Sequence, residues 1–155
     1  MRVKNLIVAE VVTIPAGATA AETARILRER GVSGAPVVDE TGQPVGVISR
    51  TDLAHGWEQS ETQRRRVFYV TGAEELPAAA PAEEPSGAFG QRPVREIMMP
   101  IIFSVQQHDS VRKAAALMTA EGIHRVIVLD GTRLVGVLSA SDIVAAVGRG
   151  ELIEA

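Results

Sequence analysis

A short β-branched run, Val11-Val12-Thr13-Ile14, stops at Pro15 and predicts a strand. Thr19-Ala20-Ala21-Glu22 has the spacing of a capping box, in which the Thr hydroxyl takes an orphan amide and Glu reaches back. The helix that follows carries Ala20, Ala24, Ile26, Leu27 and Val32 toward its buried side, and Gly31 suits its C-terminal cap. Ala35-Pro36-Val37-Val38 predicts a second strand, Asp39 to Gly42 a turn, and Pro44 to Ile48 the return strand of a hairpin. Ser49-Arg50-Thr51-Asp52 then opens a second helix. The same order recurs later in the chain. Ile101 to Val105 predicts a strand, Ser110 caps a helix over Val111 to Glu121, and Gly122 stops it. Arg125 to Leu129 and Arg133 to Leu138 flank the turn at Asp130-Gly131, and a last helix runs from Ser141 to Gly148.

Laying the chain on itself turns this recurrence into an internal repeat. At an offset of 91 residues Val3 falls on Val94, Leu6 on Ile97, Thr19 on Ser110, Gly31 on Gly122 and Val37-Val38-Asp39 on Val128-Leu129-Asp130. One residue is lost in the turn, and at an offset of 90 Val45-Gly46-Val47-Ile48-Ser49 falls on Val135-Gly136-Val137-Leu138-Ser139 and Thr51-Asp52-Leu53 on Ser141-Asp142-Ile143. The expected organisation is a first repeat over 1–57, a linker over 58–93 and a second repeat over 94–155. Each repeat reads strand, helix, strand, strand, helix, so the fold class is mixed α/β (α+β). One such unit is small for a core of its own, and two packed sheet to sheet would bury their shared apolar faces. Residues 74–93 are rich in Ala, Pro, Glu and Gly and predict a mobile, protease-sensitive segment. The stretch from Trp57 to Val70 is expected to continue a helix and then run extended.

Composition narrows the function. Hydrophobic residues make up 46% of the chain and aromatics only 3%, so the core is aliphatic. The net charge of −3 argues against general nucleic-acid binding, and the basic run Arg64-Arg65-Arg66 reads as a solvated patch. With no cysteine there is no disulfide, thiol nucleophile or Cys-based zinc site. His55, His108 and His124 lack metal-ligand spacing. The apolar run Leu6 to Ala9 is too short for a signal peptide and no stretch is long enough to span a membrane, so the expected location is the cytoplasm. No nucleophile elbow, P-loop or dinucleotide fingerprint is present, and the expectation is a protein that is not an enzyme.

The repeated motifs resemble those of a known family. Val94-Arg95-Glu96-Ile97-Met98 is similar to the leading segment of a CBS (cystathionine-β-synthase-type) domain. Gly122 to Asp130 resembles its central hairpin strand, and Gly136 to Ile143 its closing strand and helix start. The first copy answers with Gly31 to Asp39 and Gly46 to Leu53. One departure is Ile127, where the family's usual Pro, present as Pro36, is expected. The resemblance implies a tandem pair of the stand-alone type, related by a pseudo-two-fold axis, with clefts between the halves. It implies a regulatory module that binds AMP, ADP, ATP or S-adenosylmethionine, forms a homodimer and acts on an unknown protein partner. The alternative is an interaction module whose clefts stay empty and which docks a partner or a second copy.

By the same resemblance Asp142 and Asp52 accept from ribose hydroxyls, while Ser139, Ser141, Ser49 and Thr51 reach phosphate. A helix N-terminus offers free amides and positive dipole to an anion. The same Ser-x-x-Asp spacing is also a cap that needs no ligand. His124 and Arg125 are expected beside a nucleotide phosphate, for which the Arg fork is suited. The first copy has Ser33-Gly34 there, so the two sites differ chemically.

Overall fold

In the computed structural model, residues 1–7, 10–55, 68–69, 85 and 87–151 are described. They form two compact units. One is Val12–Ile102, and the other joins Met1–Val11 to Phe103–Ala155. In the first unit the chain runs β1 (Ile14–Pro15), α1 (Ala20–Arg30), β2 (Gly34–Val38), β3 (Pro44–Ser49), α2 (Arg50–His55) and α3 (Gly87–Gly90). In the second it runs β4 (Ser104–Gln106), α4 (Val111–Glu121), β5 (Arg125–Asp130), β6 (Arg133–Ser139) and α5 (Ala140–Gly148). Each unit holds a three-stranded sheet with the middle strand parallel to one neighbour and antiparallel to the other, in the orders β1-β2-β3 and β4-β5-β6. The mixed α/β class and the repeated β-α-β-β-α order are those read from the sequence.

The helix signals act as expected. Thr19 and Glu22 complete a capping box, with Glu22 N donating to Thr19 Oγ1 and Thr19 N to Glu22 Oε2, each at 3.1 Å. Gly31 and Gly122 both end their helices in the left-handed region, at φ of 66° and 64°, a conformation that disfavours a Cβ. Thr23, which the apolar pattern does not mark, is also fully buried on α1, and its hydroxyl donates to Thr19 O at 2.8 Å.

The first strands differ from expectation. β1 covers Ile14–Pro15 rather than Val11 to Ile14, and β4 covers Ser104–Gln106 rather than Ile101 to Val105. Pro15 is tolerated because β1 lies at the sheet edge. The shorter β1 traces to Pro36. In the second unit Ile127 N donates to Phe103 O at 2.8 Å and Ser104 pairs with Ile127. Pro36 stands at the matching place in β2 and has no N–H to donate. Pairing in the first unit therefore begins one residue later, at Ile14 with Val37.

The segment leading into each repeat packs on the sheet of the other repeat. Val3 N donates to Asp109 O at 2.9 Å and Val111 N to Met1 O at 3.0 Å. In the same relation, Val94 N donates to Ala18 O at 2.7 Å and Ala20 N to Arg92 O at 2.9 Å. Val3 and Val94 are fully buried. The repeated glycines make this possible. A methyl on Gly136 would lie 2.9 Å from Ile7 Cδ1, and one on Gly46 would lie 2.6 Å from Met98 Sδ and 2.8 Å from Met99 O. Val47 and Met99 exchange two backbone hydrogen bonds of 2.9 Å, so Met99 extends the sheet beyond β3.

The first unit's core gathers Ile14, Leu27, Val37, Ile48, Leu53, Val94 and Ile97, with Phe89 packed against it. In the second, Val126, Ile127 and Val128 on β5 are completely buried, as are Ala114, Leu138 and Ala146. Of the stretch expected to be a mobile linker, residues 85 and 87–93 are described; α3 approaches α1, and Arg92 is bonded to Ala20. Trp57, Arg64, Arg65 and Arg66 lie outside the described residues. Phe68 and Tyr69 are helical, not extended.

Candidate functional site

In both units the second hairpin strand runs straight into a helix, and the turn between them is closed by a Ser–Asp pair. Ser139 N donates to Asp142 Oδ2 at 2.9 Å and Asp142 N to Ser139 Oγ at 3.1 Å. Ser49 N donates to Asp52 Oδ2 at 2.9 Å and Asp52 N to Ser49 Oγ at 3.2 Å. The hairpins place matching residues beside these turns, Arg125 across from Ser139 and Gly34 across from Ser49. Ala140 N donates to His124 O, and Arg50 N to Ser33 O, both at 2.8 Å.

The two turns then diverge. Ser49 and Asp52 are buried, at 1% and 2% exposed. Ser139 and Asp142 are partly open and Ser141 is exposed, its hydroxyl 3.1 Å from that of Ser139. Arg125 is partly buried beside Asp142. Burial pulls its guanidinium below its ordinary pKa and the Asp142 carboxylate pushes it back up, so it stays a cation at neutral pH. The cap uses only Oδ2 of Asp142, and a carboxylate has further lone pairs to offer. A cap and a ligand site are thus compatible in the same four residues. Ser139, Ser141, Asp142 and Arg125 lie together at this turn. Ser49, Thr51 and Asp52 also come together, with Thr51 partly buried, but around a closed turn.

His124 takes a different place from its neighbour. It is exposed and lines an apolar groove of about 340 Å³ between α4 and α5, with Met118, Ile123, Ala140, Ile143 and Val144. Successive residues entering a strand face opposite sides, which separates His124 from Arg125. The groove itself had no single-residue signal; it arises where the small residues Ala115, Gly122 and Ala140 leave space. Among the described residues no cluster of three or more His, Asp or Glu could hold a metal ion, and no helix is long and apolar enough to cross a membrane.

A profile of the CBS domain matches the chain twice, over residues 3–57 and 94–149. The chain belongs to the CBS-domain family. Its repeats are the two CBS domains of a tandem pair. The chain is 31% identical over 142 residues to 5'-AMP-activated protein kinase subunit gamma-3 of Sus scrofa, a match covering 81% of this chain and 22% of the relative. It spans only 22%, 38% and 56% of three of its curated relatives. Among solved structures it is similar to CBSX2 in complex with AMP, with a TM-score of 0.67 at 21% identity, covering 97% of this chain and 98% of the other. It is also similar in fold to the CBS domain pair of protein MJ0100 in complex with 5'-methylthioadenosine and S-adenosyl-L-methionine, with a TM-score of 0.65 at 22% identity and coverages of 97% and 98%.

Proposed function

We propose that this CBS pair is a regulatory module that binds an adenosyl ligand (AMP, ADP, ATP or S-adenosylmethionine) at the strand–helix turn of its second repeat. The observation that carries this reading is the partly open Asp142 carboxylate beside the partly buried Arg125, at the start of a nine-residue helix. Asp142 has acceptor capacity for ribose hydroxyls beyond its cap bond. Ser139, Ser141 and the helix amides suit phosphate, and the Arg125 fork adds a charge-assisted partner. Support comes from relatives: one is named for activation by AMP, and two structures of the same fold hold AMP, methylthioadenosine or S-adenosylmethionine. The role is regulatory, with no catalytic step assigned to these residues.

Calorimetric titration with AMP and ATP tests it. Asp142→Ala is expected to weaken binding by about 1.5–3 kcal/mol, roughly tenfold or more, with Asp52→Ala changing affinity less. Equal affinities for the wild type and both variants would refute the ribose role. A wild type that binds neither nucleotide would favour the second reading, an interaction module without ligand. That reading draws on the α4–α5 groove and on Val144 and Val147, which are 68% and 59% exposed on α5.

A further inference from the structure

Gly34 and Arg125 occupy the same place in their hairpins, across from Ser49 and Ser139. In the second repeat that place carries a long cationic side chain that feels the Asp142 carboxylate. In the first it has no room for any side chain. A methyl on Gly34 would lie 3.3 Å from Phe68 Cδ2, 3.4 Å from Ser49 Cα and 2.7 Å from Ile48 O. The Ile48 carbonyl is the nearest obstacle, and the ring of Phe68 lies tight against the place where an Arg stem would begin.

Phe68 comes from the chain between the repeats, and it is held firmly. It is only 3% exposed and meets the ring of Tyr69 edge to face, at 4.9 Å between centroids and 85° between planes. Tyr69 is fully buried, and its hydroxyl donates to Ile101 O at 2.7 Å, so the polar end of the pair is satisfied. The turn beside this ring is the closed one, with Ser49 and Asp52 buried, while its counterpart at Ser139 and Asp142 is partly open.

We infer that Phe68, anchored by Tyr69, is an intrachain occupant of the first repeat's ligand position, so that each chain receives adenosyl ligand at the second repeat alone. The part concerning ligand rests on the function proposed above; the occupancy by Phe68 does not. The asymmetry gives the pair one sensing site and one fixed site, and makes Phe68 and Tyr69 part of the first repeat's structure.

The chain has no cysteine, so a single introduced thiol reports on its own position. The test compares maleimide labelling of Ser49→Cys and Ser139→Cys, each with and without Phe68→Ala. Ser49→Cys is expected to label about tenfold or more slowly than Ser139→Cys, in keeping with opening that is rare in a well-packed region. Phe68→Ala should raise the Ser49→Cys rate toward that of Ser139→Cys and leave Ser139→Cys unchanged. Equal rates in the two parent variants, or a Ser49→Cys rate indifferent to Phe68→Ala, would overturn the proposal. If Phe68→Ala unfolds the chain, both thiols accelerate together; Tyr69→Phe, which removes only the anchoring hydroxyl, then decides, a selective rise at Ser49→Cys supporting the occupant and no rise refuting it. Calorimetry on the unmodified chain adds the ligand arm. One AMP per chain is expected, and two equal sites would overturn the inference. Absence of binding by AMP, ADP, ATP and S-adenosylmethionine alike would defeat the proposed function while leaving the labelling result to judge Phe68.

Discussion

Asp109 shows how much a single carboxylate can organise. It accepts from Gln106 N at 2.8 Å and pairs with Lys113 Nζ at 3.0 Å, close to the cap of α4 and to Arg2. The backbone bond from Gln106 is the main reason its pKa lies below the ordinary carboxylate value, followed by Lys113. A carboxylate with a lowered folded pKa adds stability above its unfolded pKa and loses it as pH falls through the folded one. Wild type is therefore expected to lose stability more steeply than Asp109→Asn below about pH 4, in urea melts followed across the acid range. Lys113 is largely exposed, so added salt should remove only the ion-pair share of the effect. The Ser–Asp caps were legible in the sequence at this scale, because capping depends on residues three apart. The difference between a closed Asp52 and a partly open Asp142 was not legible, because it depends on what lies above each turn.

Among the elements, the exchanged leading segments set the sharpest demands. The two equivalent glycines are not equally constrained. At Gly136 the nearest atom is Ile7 Cδ1 at 2.9 Å, which can turn aside, and Ile7 Cβ at 3.1 Å need give by only a few tenths of an ångström. At Gly46 it includes the Met99 carbonyl, which is fixed by its bond from Val47 N at 2.9 Å. Gly46→Ala is expected to destabilise the chain by about 1–3 kcal/mol, as overpacking does, and Gly136→Ala by less. Denaturant midpoints of both variants check the order; a larger loss at Gly136 would contradict it. Strand limits show the same dependence on neighbours. Val11 to Ile14 has the composition of a strand, yet pairing starts only at Ile14, because the partner at Pro36 has no amide to give.

For the whole molecule, the question is what covers α5. Val144 and Val147 stand exposed beside the apolar groove that Val144 helps to line. A groove and a ridge on one helix can match the same pair on a second copy around a two-fold axis, and patches of this kind mark association surfaces. Light scattering at micromolar concentration is expected to give a mass about twice 16.4 kDa. Val144→Lys should return it to the monomer value while leaving the thermal melt of the fold in place. A monomeric wild type would remove this surface from consideration.

The sequence by itself determined the duplication, the β-α-β-β-α order of each repeat, the helix caps at Thr19, Ser110 and Ser139 and the stops at Gly31 and Gly122. These depend on periodicity and on residues a few positions apart, so they are written locally. Only the tertiary structure decided that each leading segment packs on the other repeat's sheet and that Gly46 and Gly136 lie against it. It alone parted His124 from Arg125 and set Phe68 against Gly34. Those outcomes depend on approaches between positions far apart in the chain, where a contact leaves no spacing to read and the deciding quantity is whether two groups can occupy the same few ångströms.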